Sequence, residues 1–254
     1  TNAIAVLSDI WAGARMPFIT HPITGAIIHL DTWQISFGTF SIFVWADLLS
    51  FIWIMWVVNI VGWSAGVDGQ MPGFVSIAAV VLGILSLRFS HMDSTQLVVT
   101  TLSFIVAGGF LGFLPWNFYP QKIMPGYSGK TLAGFLLAIL GILSFAKVGT
   151  ALLVLGIPSI DALYILIRRI THNQSPVWAD RGHLHHRLLD LGWGKRRIAL
   201  FYWLTSAILG IIALSVNSQQ KIFAFLLVAV VIGGFLVWVN YFTHLSNLHD
   251  QDNG

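Results

Sequence analysis

A series of apolar runs, each at or near the length needed to cross a bilayer, constrains this chain more than any other feature. The runs lie at 38–60, 73–88, 96–114, 131–146, 148–167, 198–216 and 222–242. A helical span takes about 20 apolar residues, within a range of roughly 17–25. Two of the runs are short, and only Lys147 separates 131–146 from 148–167. A partial span over 1–14 would bring the number to eight. Composition points the same way: 56% of residues are apolar, 9% are charged, and the mean hydropathy is +0.80. A soluble domain carries roughly a quarter charged residues, and so few charges cannot cover a water-facing surface. The expected fold class is therefore all-α, a polytopic transmembrane helix bundle of about seven to eight spans forming one integral membrane domain over 1–254.

One long polar segment interrupts the apolar pattern. Residues 168–197 read RRITHNQSPVWADRGHLHHRLLDLGWGKRR. They hold seven of the thirteen Lys and Arg and four of the nine His. Such a gathering of cationic and imidazole donors beside a membrane suits a ligand that carries phosphates. Placing this segment in the cytoplasm puts the loops 61–72 and 115–130 on the same side. The inner loops then carry nine Lys and Arg, and the outer loops carry Arg15, Arg88, Lys147 and Lys221. That bias is the one expected of a cytoplasmic face. Three polar loops on one membrane face is also what a single active site needs.

Other features narrow the chemistry. No cysteine is present, so neither a disulfide framework nor thiolate catalysis is available. All ten acidic residues are Asp. The opening TNAIAVLSDIWAGARM has no Met and no basic leader, and reads as the tail of a hydrophobic segment in an N-terminally truncated chain. The expected location is the inner or plasma membrane, crossed several times. Membrane lipids are the expected surroundings, with no nucleic-acid partner, and a homodimer is left open.

Within the loops, HLHHR at 183–187 is the strongest local signal. Neutral imidazoles donate without fixed charge, and Arg187 adds a planar fork for phosphate oxygens. The rival readings are a zinc site, which would need a further ligand from elsewhere, and a basic segment attracted to anionic lipid. Asp68 sits in a Gly-flanked turn, suited either to Mg²⁺ or simply to turn formation. Asp161 and Asp47 lie inside apolar runs, where an ionisable group is a functional candidate or an internal partner. Pro158 is expected to kink the run 148–167. GYSGKT at 126–131 lacks the Gly that a phosphate-binding P-loop requires, since position 124 is Met.

Four stretches in order carry a family resemblance. SPVWADRGHLHHRLLDLG resembles the signature of the polyprenyl-phosphate N-acetylhexosamine-1-phosphate transferases. These include the phospho-MurNAc-pentapeptide translocase and the GlcNAc-1-phosphate transferases that start surface polysaccharides. PSIDALYILIRR resembles the family's Pro-x-x-Asp stretch. GFLPWNFYPQKIMPGYSGKTLAGFLLA resembles its Gly-Phe-Leu…Asn…Pro-x-Lys…Gly-Asp-Ser-Gly-Ser loop. NIVGWSAGVDGQ resembles its Asn-x-x-Asn-x-x-Asp-Gly-x-Asp-Gly motif.

The resemblance implies transfer of a sugar-1-phosphate from a UDP-N-acetylhexosamine to a polyprenyl phosphate, releasing UMP, with Mg²⁺ or alternatively Mn²⁺. It implies catalytic roles for Asp68, His183, His185 and His186, with Asp68 also at the metal. It implies substrate binding by Asn59, Asn117, Lys122, Lys130, Asp161, Asp180 and Arg187. The departures are specific. Gly62 stands for the second Asn, Ala65 for the first Asp of Asp-Gly-x-Asp-Gly, Tyr127 for the Asp of Gly-Asp-Ser-Gly, and Lys130 for its final Ser. The family's adjacent acidic pair is absent from these residues and would precede Thr1. Two other readings stand beside the transferase: a relative that binds nucleotide-sugar or lipid phosphate without turnover, and a transporter with a basic cytoplasmic gate.

Overall fold

The structure is a computed structural model and describes residues 13–21, 24–37, 40–144, 147–175 and 182–252, the side chains at 37, 40, 147 and 240–252 excepted. Most of the partial span expected over 1–14 thus lies outside the described residues, as does Asp180.

Two antiparallel hairpins come first. β1 (Phe18–Thr20) pairs with β2 (Ile27–His29), and β3 (Gln34–Phe37) pairs with β4 (Phe40–Phe43). Nine helices follow among the described residues: α1 (Val44–Trp63), α2 (Gln70–Phe89), α3 (Thr95–Asn117), α4 (Gly126–Leu143), α5 (Lys147–Val154), α6 (Gly156–Thr171), α7 (Leu184–Asp190), α8 (Lys195–Ser215) and α9 (Ser218–Asp252). Six of them are long and apolar enough to cross a membrane. The protein is a multi-pass membrane helix bundle, because an apolar segment in hydrocarbon must satisfy its backbone internally.

Two boundaries differ from the sequence reading. The run at 38–60 begins as strand, and α1 starts only at Val44. An apolar run does not by itself distinguish strand from helix. Here the pairing of Phe40–Phe43 with Gln34–Phe37 decides, helped by Gln34 Nε2 donating to Ser41 Oγ at 2.6 Å. The run at 148–167 is broken rather than merely kinked: α5 and α6 meet at 83°. Pro158 is the third residue of α6 and lacks the N–H that would bond back to Val154, so one helix cannot run through this point.

α2 is the central element, buried along most of its length, and it packs against α3 on one side and α8 on the other. α1 lies against α4, where Trp53 Nε1 donates to the Ala138 carbonyl at 3.1 Å. α3 and α9 are largely exposed along their apolar length, as lipid-facing helices are. Asp47 acquires a partner that the sequence did not show. Arg15 Nε lies 3.4 Å from its carboxylate, and the Phe43 N–H donates to it at 3.0 Å, which fastens the hairpins to the start of α1. Helices running up and down leave the connections 64–69 and 118–125, and the described residues 182–194, at one end of the bundle.

Candidate active site

The connection between α1 and α2 turns on Gly66, Asp68 and Gly69. Gly69 has φ +77°, a left-handed conformation that favours glycine, and a Cβ there would press on Phe118. Its N–H donates to Asn117 Oδ1 at 3.0 Å, while the Asn117 amide donates to the Ile123 carbonyl at 3.0 Å. Asn117, at the end of α3, therefore ties two loops together while remaining buried. From α8, Trp203 Nε1 donates to the Gly69 carbonyl at 3.1 Å. The turn carrying Asp68 is thus held from two helices, α3 and α8.

The Asp68 carboxylate is buried and engaged. Lys195 Nζ, the first residue of α8, lies 3.2 Å and 3.5 Å from its two oxygens. The Gln121 N–H also points at it, at 3.4 Å. The ammonium of Lys195 and the guanidinium of Arg196 both lie 5.5 Å from the centre of the Tyr119 ring. A cavity of ≈ 40 Å³ opens beside this arrangement, lined by Ala65, Gly66, Asp68, Asn117, Gln121 and Lys130 among others.

The histidines come in from α7 and the residue before it. His183 Nδ1 lies 3.0 Å from Asp161 Oδ2, and the Leu184 N–H donates to Asp161 Oδ1 at 2.8 Å. A carboxylate only accepts, so the His183 Nδ1 carries the proton. Asp161, buried within α6, therefore positions the histidine segment and adds negative charge at the start of α7. The His183 ring stacks on His185, with centroids 5.7 Å apart, and His185 lies 4.3 Å from His186. His185 packs directly on Gly66: any Cβ at that position would overlap the imidazole. Burial first, then the neighbouring His186, His183 and Lys130, push the His185 pKa down to about 3, so the ring is neutral at physiological pH.

Other expected residues have different surroundings. Asn59 donates its amide to Met55 within α1, at 2.7 Å. Lys122 is exposed and lies over the Trp116 ring at 5.5 Å. Arg187 is buried, with Nε donating to the Gly182 carbonyl at 2.7 Å and the guanidinium stacked on Tyr164. Its described contacts tie α7 to the bundle. Asp68, Asn117, Lys130 and His185 are the predicted residues that converge.

The model of the family described as "Glycosyl transferase family 4" matches residues 4–145, more than half of the chain. The chain belongs to glycosyl transferase family 4. It is 29% identical to the "Probable undecaprenyl-phosphate N-acetylglucosaminyl 1-phosphate transferase" of Bacillus subtilis, covering 75% of this chain and 54% of that protein. It is 30% identical to the "Decaprenyl-phosphate N-acetylglucosaminephosphotransferase" of Mycobacterium tuberculosis, covering 77% and 54%. With the "Phospho-N-acetylmuramoyl-pentapeptide-transferase" of Lactococcus lactis the identity is 29%, over 83% and 64%. The chain thus spans little more than half the length of the curated relatives it matches.

The glycosyl transferase family 4 match contains the Asp68 turn, Asn117, Lys122 and Lys130, and stops before the histidines. Lys195, Gln121 and Trp203 are contacts that the sequence reading did not single out in this family member. Lys195 was visible only as one of seven cations in the polar segment. Its pairing with a residue 127 positions away is a property of the fold.

The donor set bears on the metal that the family resemblance implies. Mg²⁺ demands near-octahedral oxygen ligation and is usually held by carboxylates, water and substrate phosphates. Among the described residues no three His, Asp or Glu side chains converge on a point where a metal ion could sit. The Asp68 carboxylate already holds an ammonium group, and Ala65 supplies no second acid. Asp68 is the one acid among the cavity-lining residues, so a bound Mg²⁺ would take most of its ligands from water and substrate phosphates.

Proposed function

We propose that the whole protein transfers a sugar-1-phosphate from a UDP-sugar, a UDP-N-acetylhexosamine, to a polyprenyl phosphate. UMP would be released at the cytoplasmic face of the inner or plasma membrane, in cell-wall or surface-polysaccharide synthesis. One observation carries this reading: three connections far apart in sequence meet at one end of a membrane bundle, where Asp68, Asn117 and Lys130 line a common cavity and Lys195 pairs with Asp68. His185 packs behind its Gly66 wall. The activities for which the relatives are named support the same chemistry.

The balance of the reaction is simple. An oxygen of the lipid phosphate forms a bond to the sugar-linked phosphorus, and the bond to the UMP oxygen breaks. Phosphoryl transfer asks the protein mainly for positioning and charge neutralisation. Lys130 and Lys195 supply positive charge next to the cavity. Asn117 and Gly69 keep the turn in place, and Asp161 keeps the histidines against it. His185, neutral, adds a polar group without adding charge that would need a counter-ion.

The test uses the full-length protein in lipid with polyprenyl phosphate and a panel of UDP-sugars, with UMP release as the readout. One UDP-N-acetylhexosamine should release UMP only when the lipid phosphate is present. His185→Ala should lower that rate by at least about tenfold, in the range for a positioned polar group at a reacting centre. UMP release with no sugar in this class, or release that is independent of polyprenyl phosphate, would overturn the reading.

A further inference from the structure

A second cavity, of ≈ 470 Å³, lies at the end of the bundle away from the Asp68 turn, among β1, the starts of α3, α5 and α9 and the end of α4. We propose that it binds one anionic phospholipid of the surrounding membrane, with the lipid phosphate on Lys221 and an acyl chain along the apolar wall. This site is separate from the transferase reading and does not depend on it.

Size and lining suit an amphiphile. The volume falls within the range of about 300–1,000 Å³ usual for small-molecule sites. Phe18, Ile142, Leu143, Val148, Leu152 and Ile222 make much of the wall apolar. Lys221, in the first turn of α9, lines the same cavity and is only 6% exposed. Its Nζ donates to Thr150 Oγ1 at 2.7 Å, which uses one of the three donors of an ammonium group. Among the described residues, no carboxylate forms an ion pair with it. The other two lining ions are engaged. Arg15 lies 3.4 Å from Asp47, and the two oxygens of Asp93 accept from the Thr95 N–H at 2.9 Å and the Thr95 hydroxyl at 2.6 Å. A buried cation without an opposite charge is costly, and an anionic ligand removes that cost.

The surroundings select a lipid over a free anion. Ile19 on β1, Ile28 on β2 and Phe223 on α9 are exposed beside the cavity, and α3 and α9 present apolar faces along their length. Such surface belongs in the bilayer, so an amphiphile already in the membrane meets the cavity at high local concentration. Basic pockets between spans hold anionic head groups in this way. The charge then selects the head group. One ammonium matches one phosphodiester. A zwitterionic lipid would bring a second cation beside Lys221, where the one lining acid, Asp93, is already bonded to Thr95.

The experiment strips the full-length protein of lipid in neutral detergent and titrates it with phosphatidylglycerol or phosphatidylcholine, counting bound lipid by native mass spectrometry. The wild type should hold one phosphatidylglycerol at least about tenfold more tightly than phosphatidylcholine. Phosphatidylglycerol should also raise its melting temperature by several degrees, because a ligand that binds only the folded state stabilises it. Lys221→Met should lose the preference, while folding at least as stably without lipid, because a buried ammonium with no acid partner is gone. Lys221→Arg should keep most of the preference. Gly149→Phe adds bulk at a lining position where a Cβ meets nothing within 4 Å, and should weaken both lipids. Lys122→Met, at the other end of the bundle, should leave the preference unchanged. Equal affinity for the two lipids would overturn the inference, as would a preference that survives Lys221→Met or wild-type binding in Gly149→Phe. Displacement of phosphatidylglycerol by millimolar glycerol phosphate would also overturn it, by giving the site to a water-soluble anion. If Lys221→Met does not fold, Gly149→Phe and the two-lipid comparison decide.

Discussion

Replacing Asp161 by Ala should loosen the histidine segment before it affects any span. The carboxylate is 1% exposed and makes two contacts, to the Leu184 N–H at 2.8 Å and to His183 Nδ1 at 3.0 Å. Hydrogen bonds to a charged group contribute about 1.5–3 kcal/mol each, and removing one partner of a buried pair costs about 3–5 kcal/mol. Asp161→Ala should therefore destabilise the protein by about 3–5 kcal/mol, since both partners are left unsatisfied in a buried setting. Asp161→Asn keeps one carbonyl oxygen for the Leu184 N–H and should cost about half as much. The assay is a denaturant titration in bicelles followed by tryptophan fluorescence. Trp63, whose ring centroid lies 6.2 Å from that of His183, makes the emission sensitive to this corner. Protease sensitivity near residues 182–184 should rise in parallel. A cost below about 1 kcal/mol for Ala, or equal costs for Ala and Asn, would refute the claim that this carboxylate organises the motif.

Three further outcomes follow from the same geometry. His185 is a base whose folded-state pKa of about 3 lies below its ordinary value of 6.5, so it stabilises fully above that value and progressively less as pH falls through the window from 6.5 to about 3. The slope is at most about 1.4 kcal/mol per pH unit, and denaturation at pH 7 and pH 5 should show it in the wild type and lose it in His185→Gln. Gly66→Ala places a methyl group inside the His185 ring position and should cost several kcal/mol, typically about 2–4, as overpacking at a rigid contact does; a fully stable, active variant would show that the two loops do not touch. The chain has no cysteine, so single-cysteine variants Lys122→Cys and Met92→Cys, both at exposed positions, should label from opposite sides of the membrane; labelling from one side would refute the topology.

Most of the bundle was legible in the sequence because spanning is a local property. A run such as 198–216 must hide its backbone polarity within itself whatever surrounds it, and α8 duly covers Lys195–Ser215. That the loops meet at one end of the bundle was also legible, because consecutive spans alternate in direction and this needs no contact information. The places where local reasoning fell short are those where a neighbour decides. Strand pairing drew Phe40–Phe43 away from α1, and a proline with no N–H to offer split 148–167 into two helices at 83°.

At the site the division is sharper. The sequence by itself determined that histidines, cations and a turn carrying Asp68 would lie near a membrane surface. Only the tertiary structure decided their partners. Asp161 turned out to belong to His183 and Leu184, Arg187 to carbonyls and Tyr164, Lys122 to Trp116, and Asp68 to Lys195. Each of these pairings is set by which side chains the packed helices bring within about 3 to 6 Å, a distance over which electrostatics and hydrogen bonding act and on which spacing along the chain carries no information.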